Sequence, residues 1–271
     1  VVAQIGTGHQ QGLFIERLGQ FPGDGLGVHV AEDDRHDLEI VKRLDGGESI
    51  QDMVDIQGTV YATSRARFQE LLFNTIEIPS FEEVGDRDKQ SNTPTESGKL
   101  AYAKAFQIQL MQQNPIRGKR IIQACMDRLV VQNPPALPLD EAQFDRLYEL
   151  PFTLDAHPDY ENEGGVPALK EVQFSLTSNR GCFGSCSFCA ITNHQGRMIQ
   201  TRSKASLVKE AERMTAHRAF KGYIHDLGGP TANFQGLACD QQLENGPCPA
   251  KECLWPKPCN NLKDYHGRYL D

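Results

Sequence analysis

The sequence predicts an α/β fold on three observations: a strand pattern that runs straight into a cysteine loop, a helix beyond that loop, and a second strand pattern that ends on a glycine pair. Val172-Gln-Phe-Ser-Leu-Thr alternates apolar and polar side chains, the period of a strand with one buried face. Ser203 stands where a helix N-cap belongs, and Leu207, Val208, Ala211 and Met214 then fall on one helical face. Gly222-Tyr-Ile-His-Asp-Leu reads as a second strand, stopped by Gly228-Gly229. Strand, helix and strand in this order favour parallel pairing, with ligands gathering beyond the strands' carboxyl ends.

The first half carries fewer signals. Asp37 to Leu44 has helical periodicity and stops at Asp45-Gly46-Gly47, and Ile56-Gln-Gly-Thr-Val-Tyr suggests a short strand. A helix from Lys99 to Gln113 is closed by Asn114-Pro115, because a residue before proline is pushed out of the helical region. Asn133-Pro-Pro-Ala-Leu-Pro-Leu is an extended, stiff connector with too many prolines for a helix or a central strand. The domain boundary is placed there: residues 1–130, a Pro-rich linker over 131–170, and residues 171–271 with the cysteines. Near the start, Gly6-Thr-Gly-His-Gln-Gln-Gly is one residue too long for a dinucleotide loop and follows no clear strand, so it reads as a plain loop.

Composition narrows the class. At 271 residues, 39% hydrophobic and 24% charged, the chain has ordinary globular chemistry. No apolar run approaches 18 residues and no charged-then-apolar leader opens the chain, so neither a membrane span nor a secretory signal is expected. A net charge of −8 disfavours a general electrostatic grip on nucleic acid. Eight cysteines without a signal peptide point to metal ligation in a reducing cytoplasm rather than to disulfides.

Cys182, Cys186 and Cys189 stand at C-x3-C-x2-C spacing. Zinc half-sites come as C-x2-C pairs with a second pair or a His farther along, whereas a tight group of three suits an iron-sulfur cube with one iron left open. A zinc half-site and three unrelated buried thiols are the alternatives. Gly181 and Gly184 supply backbone freedom where side chains would collide with a cluster, and Phe183 and Phe188 can shield it. Cys239, Cys248, Cys253 and Cys259 follow in a Pro- and Gly-rich loop that needs a staple. Zinc, a second iron-sulfur cluster or free thiols packed in a loop all remain open for them. Cys125, isolated in Ile121-Ile-Gln-Ala-Cys-Met, reads as a small buried hydrophobe.

At Cys182, Cys186, Phe188 and Cys189 the chain resembles the radical S-adenosylmethionine (SAM) enzymes, whose signature is C-x3-C-x-aromatic-C. The closer likeness is to the YgiQ-type radical SAM proteins. It runs through Val131-Gln-Asn-Pro-Pro-Ala-Leu-Pro-Leu, Glu149-Leu-Pro-Phe-Thr, Asn179-Arg-Gly-Cys-Phe-Gly, Cys186-Ser-Phe-Cys-Ala-Ile-Thr-Asn-His-Gln-Gly-Arg and Gly222-Tyr-Ile-His-Asp-Leu-Gly-Gly-Pro-Thr-Ala-Asn-Phe. The resemblance covers the chain from Asp45 onward, most specifically after Val130.

The resemblance implies the start of a partial (β/α)6 barrel, preceded by the end of an N-terminal α/β domain. It implies a 4Fe-4S cluster on Cys182, Cys186 and Cys189, with Phe188 beside the cofactors and Gly228-Gly229 against the amino group of SAM. The acidic residue that other radical SAM families carry in that segment is absent here, where Pro230 follows; taken alone, Gly-Gly-Pro is a turn. The implied activity is reductive cleavage of SAM to a 5'-deoxyadenosyl radical that abstracts hydrogen from a substrate, fed by an electron donor such as flavodoxin or ferredoxin. His194, Arg197 and Arg202 lie just past the cluster, where they approach SAM or substrate or serve the surface, and Asp226 faces the same mouth or caps a turn. The chain opens at Val1 without an initiator Met, and two strands after Val172 fall short of a barrel, so the expectation is a fragment that marks the class while lacking later strands. The alternative classes are a zinc-stabilised cysteine-rich binding module and a radical SAM methylthiotransferase that uses the later cysteines for an auxiliary cluster.

Overall fold

A computed structural model describes residues 29–30, 34–68, 74–229, 232, 234–249, 252–263, 265 and 267. The Gly6 loop and Pro230 lie outside them. The chain divides into two compact units, one formed by residues 1–137 with 244–250 and the other by 138–243 with 251–271.

The first unit is built on one mixed sheet. In chain order its elements are β1 (His29–Val30), α1 (Asp34–Asp45), β2 (Thr59–Ser64), α2 (Arg65–Phe68), β3 (Thr75–Ile78), α3 (Phe81–Val84), α4 (Glu96–Met111), β4 (Arg120–Cys125) and β5 (Arg128–Gln132). The strand order is β1-β2-β5-β4-β3, with β3 parallel to β4 and the other pairings antiparallel. Alternation along the strands sends side chains to two cores. Tyr61, Ile122, Ala124, Leu129 and Val131 pack together, while Ile78 and Ile121 pack with Ala105 of α4. Thr95 caps α4, its hydroxyl accepting from the Gly98 N–H at 3.0 Å. That helix runs from Glu96 to Met111 rather than over Lys99 to Gln113.

One further expectation shifts in this unit, at Ile56, and one holds, at Cys125. Ile56 is not in a strand: it packs with Ile40 and Met53 ahead of a turn at Gly58, whose φ of 77° reorients the chain, and the strand begins at Thr59. Cys125 is buried at the end of β4, where desolvation pushes its thiol pKa up, as suits a small apolar filler.

Asn133 fastens the start of the proline connector. It is 2% exposed; its side-chain N–H groups face the Val54 and Ile56 carbonyls and the Thr59 hydroxyl at 3.0 Å each, and its oxygen accepts from Arg120 Nε at 2.9 Å. Truncating it strands several buried partners. Asn133→Ala is expected to cost about 1–3 kcal/mol, read as a lower urea midpoint at unchanged slope.

In the second unit, Asp140 and Gln143 form a capping box for α5 (Glu141–Tyr148). There follow α6 (Leu169–Val172), β6 (Ser175–Thr177), β7 (Asn179–Arg180), α7 (Ile191–Gln195), β8 (Gln200–Thr201), α8 (Lys204–Thr215) and β9 (Asp226–Gly228). A short α9 (Gln241–Asn245) comes next in the chain. The expected parallel pairing is present: β6 and β9 pair in register Ser175 with Asp226, Leu176 with Leu227 and Thr177 with Gly228. Helix α8 covers this pair through Leu207 and Met214, packed on Phe174 and Leu176. Ser203 caps it as the sequence suggests, accepting from the Ser206 N–H.

The strand limits need correction here too. Val172 ends the short helix α6 and is 61% exposed, because turns begun at Val166 and Pro167 carry the chain helically up to Gln173. Gly222 has a φ of 96°, which interrupts the expected second strand, and only Asp226–Gly228 pairs. Asp226 consequently opens that strand instead of closing it. Val208 points outward at 51% exposure, so the buried stripe of α8 is narrower than its apolar sequence. Among the described residues no helix is long and apolar enough to cross a membrane.

Candidate functional site

The cysteine loop leaves the carboxyl end of β6 under tight backbone control. Ser178 is bonded on both sides: its N–H donates to the Gly228 carbonyl and its own carbonyl accepts from the Arg202 N–H, both at 2.9 Å. Asn179 and Arg180 then pair antiparallel with Thr201 and Gln200. Gly181 turns the chain with a φ of 92°, its N–H donating to Gln195 Oε1 at 3.1 Å. Cys182 N–H donates to the Gly196 carbonyl at 3.0 Å, and the Cys182 carbonyl accepts from the Thr192 hydroxyl at 3.1 Å. The start of the loop is thereby tied to α7 and to the residue after it.

Within the loop the thiols of Cys182 and Cys186 converge on Gly184. A methyl group placed there would lie 3.3 Å from Cys182 Sγ and 3.8 Å from Cys186 Sγ. The Gly184 N–H also points to Cys182 Sγ at 3.4 Å, and such N–H···S contacts tune a cluster's potential. Ser185 takes a φ of 51°, and the Cys189 N–H closes onto the Cys186 carbonyl at 3.0 Å. Cys182 is buried, Cys189 half-buried and Cys186 exposed. Gly181→Ala is the severe local test. It would force a side chain into the left-handed region, costing about 1–2 kcal/mol. It would also place Cβ 2.6 Å from the Met198 carbonyl oxygen. The variant is expected to lose iron uptake on reconstitution, measured as iron per chain.

The two aromatic residues of the loop divide. Phe183 is buried and stacked on Phe234, centroids 3.9 Å apart, in a cluster with Ile199 and Ala238 that Cys253, Leu254 and Leu262 flank. Phe188 is 91% exposed, on the open side of the loop with Cys186. The anchoring ring is therefore Phe183.

Gly229 stands against Asn179. A Cβ at Gly229 would lie 2.5 Å from Asn179 Nδ2 and 2.7 Å from its Oδ1, so any larger residue there would require the buried Asn179 side chain to shift. Asn179 is fully buried, and periodicity gave no sign of its role. Of the basic residues, His194 is exposed and Arg197 half-buried. Arg202 is neither on the surface nor free for a ligand: it is wholly buried, paired with Glu210 and bonded to Ser206 and the Thr177 carbonyl. Its guanidinium stacks 3.9 Å above the Tyr148 ring. The partners of Arg202 come from α5, β6 and α8, which no local motif connects.

Of the later cysteines, Cys248 belongs to the 244–250 segment of the first unit and Cys239, Cys253 and Cys259 to the second, where the Cys259 N–H donates to the Cys253 carbonyl at 2.9 Å. Among the described residues no three His, Cys, Asp or Glu side chains are gathered closely enough to hold a single metal ion. A cube places a different iron at each thiolate and spreads its ligands wider than one ion does. Three thiolates offered by one loop, two of them turned toward a glycine that leaves room, suit such a cluster.

Comparison with known proteins bears on the same region. The family described as Radical SAM N-terminal matches residues 30–175, a stretch that ends just before the cysteine loop. A UPF0313 protein of Clostridium botulinum is 48% identical over 233 residues, covering 86% of this chain and 34% of the relative. UPF0313 proteins of Methanocella arvoryzae and Clostridium perfringens are each 43% identical over 233 residues, covering 86% of this chain and 36% and 33% of the relatives. The chain thus spans about a third of the length of these curated relatives. No solved structure gives a significant match.

Proposed function

From the premise that the chain belongs to the radical SAM superfamily, we propose that its second unit carries the cofactor end of a radical SAM enzyme. In this reading Cys182, Cys186 and Cys189 hold a 4Fe-4S cluster, Gly228 and Gly229 border bound SAM, and β6 and β9 are the first strands of a partial (β/α)6 barrel. When bound, the reduced cluster and SAM supply one-electron cleavage of a carbon-sulfur bond, giving methionine and a 5'-deoxyadenosyl radical that takes a hydrogen atom from a substrate. The electron comes from a low-potential donor of the flavodoxin or ferredoxin class, and a reducing cytoplasm suits the thiolates.

The observation that carries the reading is a juxtaposition. The three-cysteine loop leaves the carboxyl end of β6, and Gly228-Gly229 leaves the carboxyl end of its parallel neighbour β9, so both reach the same end of one strand pair. The chain's own part is positional. Ser178 and Gly181 fix where the loop starts, the Gly184 N–H is directed to one ligand sulfur, and Phe183 seats the loop on the core. Exposure of Cys186 leaves the loop open on the side where substrate and SAM must enter.

The test is anaerobic reconstitution with iron and sulfide, followed by electron paramagnetic resonance of the reduced chain with and without SAM. A cluster signal that changes on adding SAM is the expected result. Zinc retained with no iron-sulfur signal would overturn the proposal.

A further inference from the structure

We infer that Asn179 is a positioning residue for SAM, the spacer that sets the gap between the cysteine loop and the Gly228-Gly229 segment; this rests on the cofactor reading above. Asn179 sits two residues before Gly181 and is fully buried. Its backbone is held by pairing with Thr201, and its Oδ1 accepts from the Ser178 hydroxyl at 2.9 Å. The carboxamide is therefore fixed from the side of the cysteine loop. Its other face lies against Gly229, where Nδ2 and Oδ1 occupy the space a Cβ would need.

The side-chain nitrogen has no hydrogen-bond partner. A buried donor left unmet costs about 1–3 kcal/mol, so a residue chosen only to fill space here would be an apolar one or a hydroxyl. What the carboxamide adds is a flat, rigid plate of defined thickness between two segments that must address one ligand. The loop places the iron and Gly229 borders the ligand's amino end, so an error in their separation is an error in ligand placement, to which binding is steeply sensitive. Asn179 and Gly229 are consequently matched in size: with the carboxamide in this position, a Cβ at residue 229 has no room.

The match can be tested by compensation, with the SAM dissociation constant measured by anaerobic equilibrium dialysis on the reconstituted chain and iron per chain determined for every variant. Gly229→Ala is expected to weaken SAM binding by about tenfold or more at unchanged iron content. Adding Asn179→Ala to Gly229→Ala is expected to recover most of that loss, although Asn179→Ala alone weakens binding several-fold. Where Asn179→Ala fails to retain iron, Asn179→Ser, smaller and still able to meet the Ser178 hydroxyl, takes its place in both backgrounds. A merely structural role would lower the denaturation midpoint of the single variants while leaving the SAM dissociation constant of the folded, iron-loaded chain unchanged. The inference is overturned if the double variant binds SAM no better than Gly229→Ala, or if the single Asn179 variant binds as the wild type does. Wild type that neither holds a cluster nor binds SAM overturns the cofactor reading and this inference with it; wild type that does both, with no rescue, overturns this inference alone.

Discussion

Cys186→Ala is expected to reduce the iron-sulfur resonance of the reconstituted chain to background and to remove its response to SAM, while leaving the fold intact. The second half of that expectation makes the variant informative. Cys186 is exposed and lies outside every core cluster of the described residues, so its sulfur contributes little to packing. Removing it takes away one of only three thiolates in the loop, and cubes are usually held by four. Two remaining thiolates cannot anchor three irons. Circular dichroism and the denaturation midpoint should match wild type, and iron per chain should fall.

Cys182→Ala would confound these effects. That thiol is 7% exposed and receives the Gly184 N–H, so its removal changes ligation and loop packing together. Cys125→Ala is the matching control, a buried cysteine of the first unit's sheet, and should leave iron content unchanged. Equal resonance in Cys186→Ala and wild type would exclude Cys186 as a ligand.

What was legible in the sequence follows from the range of each interaction. The α/β class, the Ser203 cap and the parallel β6-β9 pair depend on periodicity and capping, which are local. Strand limits were less legible because they depend on backbone conformations that residue type only suggests. Gly222 turns the chain through a positive φ, and the turn ahead of Gln173 makes Val172 helical despite its β-branched side chain. The three clustered cysteines carry their proposed chemistry in their spacing alone. Asn179 was not legible, since its significance lies in contact with Gly229, fifty residues on. Phe183 and Phe188 were both read as shields for a cluster, and contact with Phe234, Ile199 and Ala238 is what buries Phe183.

Arg202 illustrates the same limit with larger energetic consequences, since a basic residue near a cofactor loop invites a ligand role and here has a structural one. Its side chain is 0% exposed and that of its partner Glu210 only 10%. The guanidinium also reaches the Thr177 carbonyl at 3.1 Å and Ser206 Oγ at 2.8 Å, so charge and donors are met by protein groups. Removing one partner of such a pair leaves the other charge buried and uncompensated. Glu210→Ala is therefore expected to destabilise the second unit by about 3–5 kcal/mol, whereas replacing both, as Arg202→Met with Glu210→Leu, should cost much less because no charge is stranded. Urea denaturation of the three chains checks the order. A loss in Glu210→Ala below that in the double variant would mean the pair is solvated and weak. The pair joins the last carbonyl of β6 to α8, and Ser178 and the cysteine loop begin immediately beyond. Glu210→Ala should therefore lose iron only as it loses structure, with both midpoints moving together, while Cys186→Ala loses iron at constant stability. That dissociation separates residues that hold the scaffold from residues that hold the cluster.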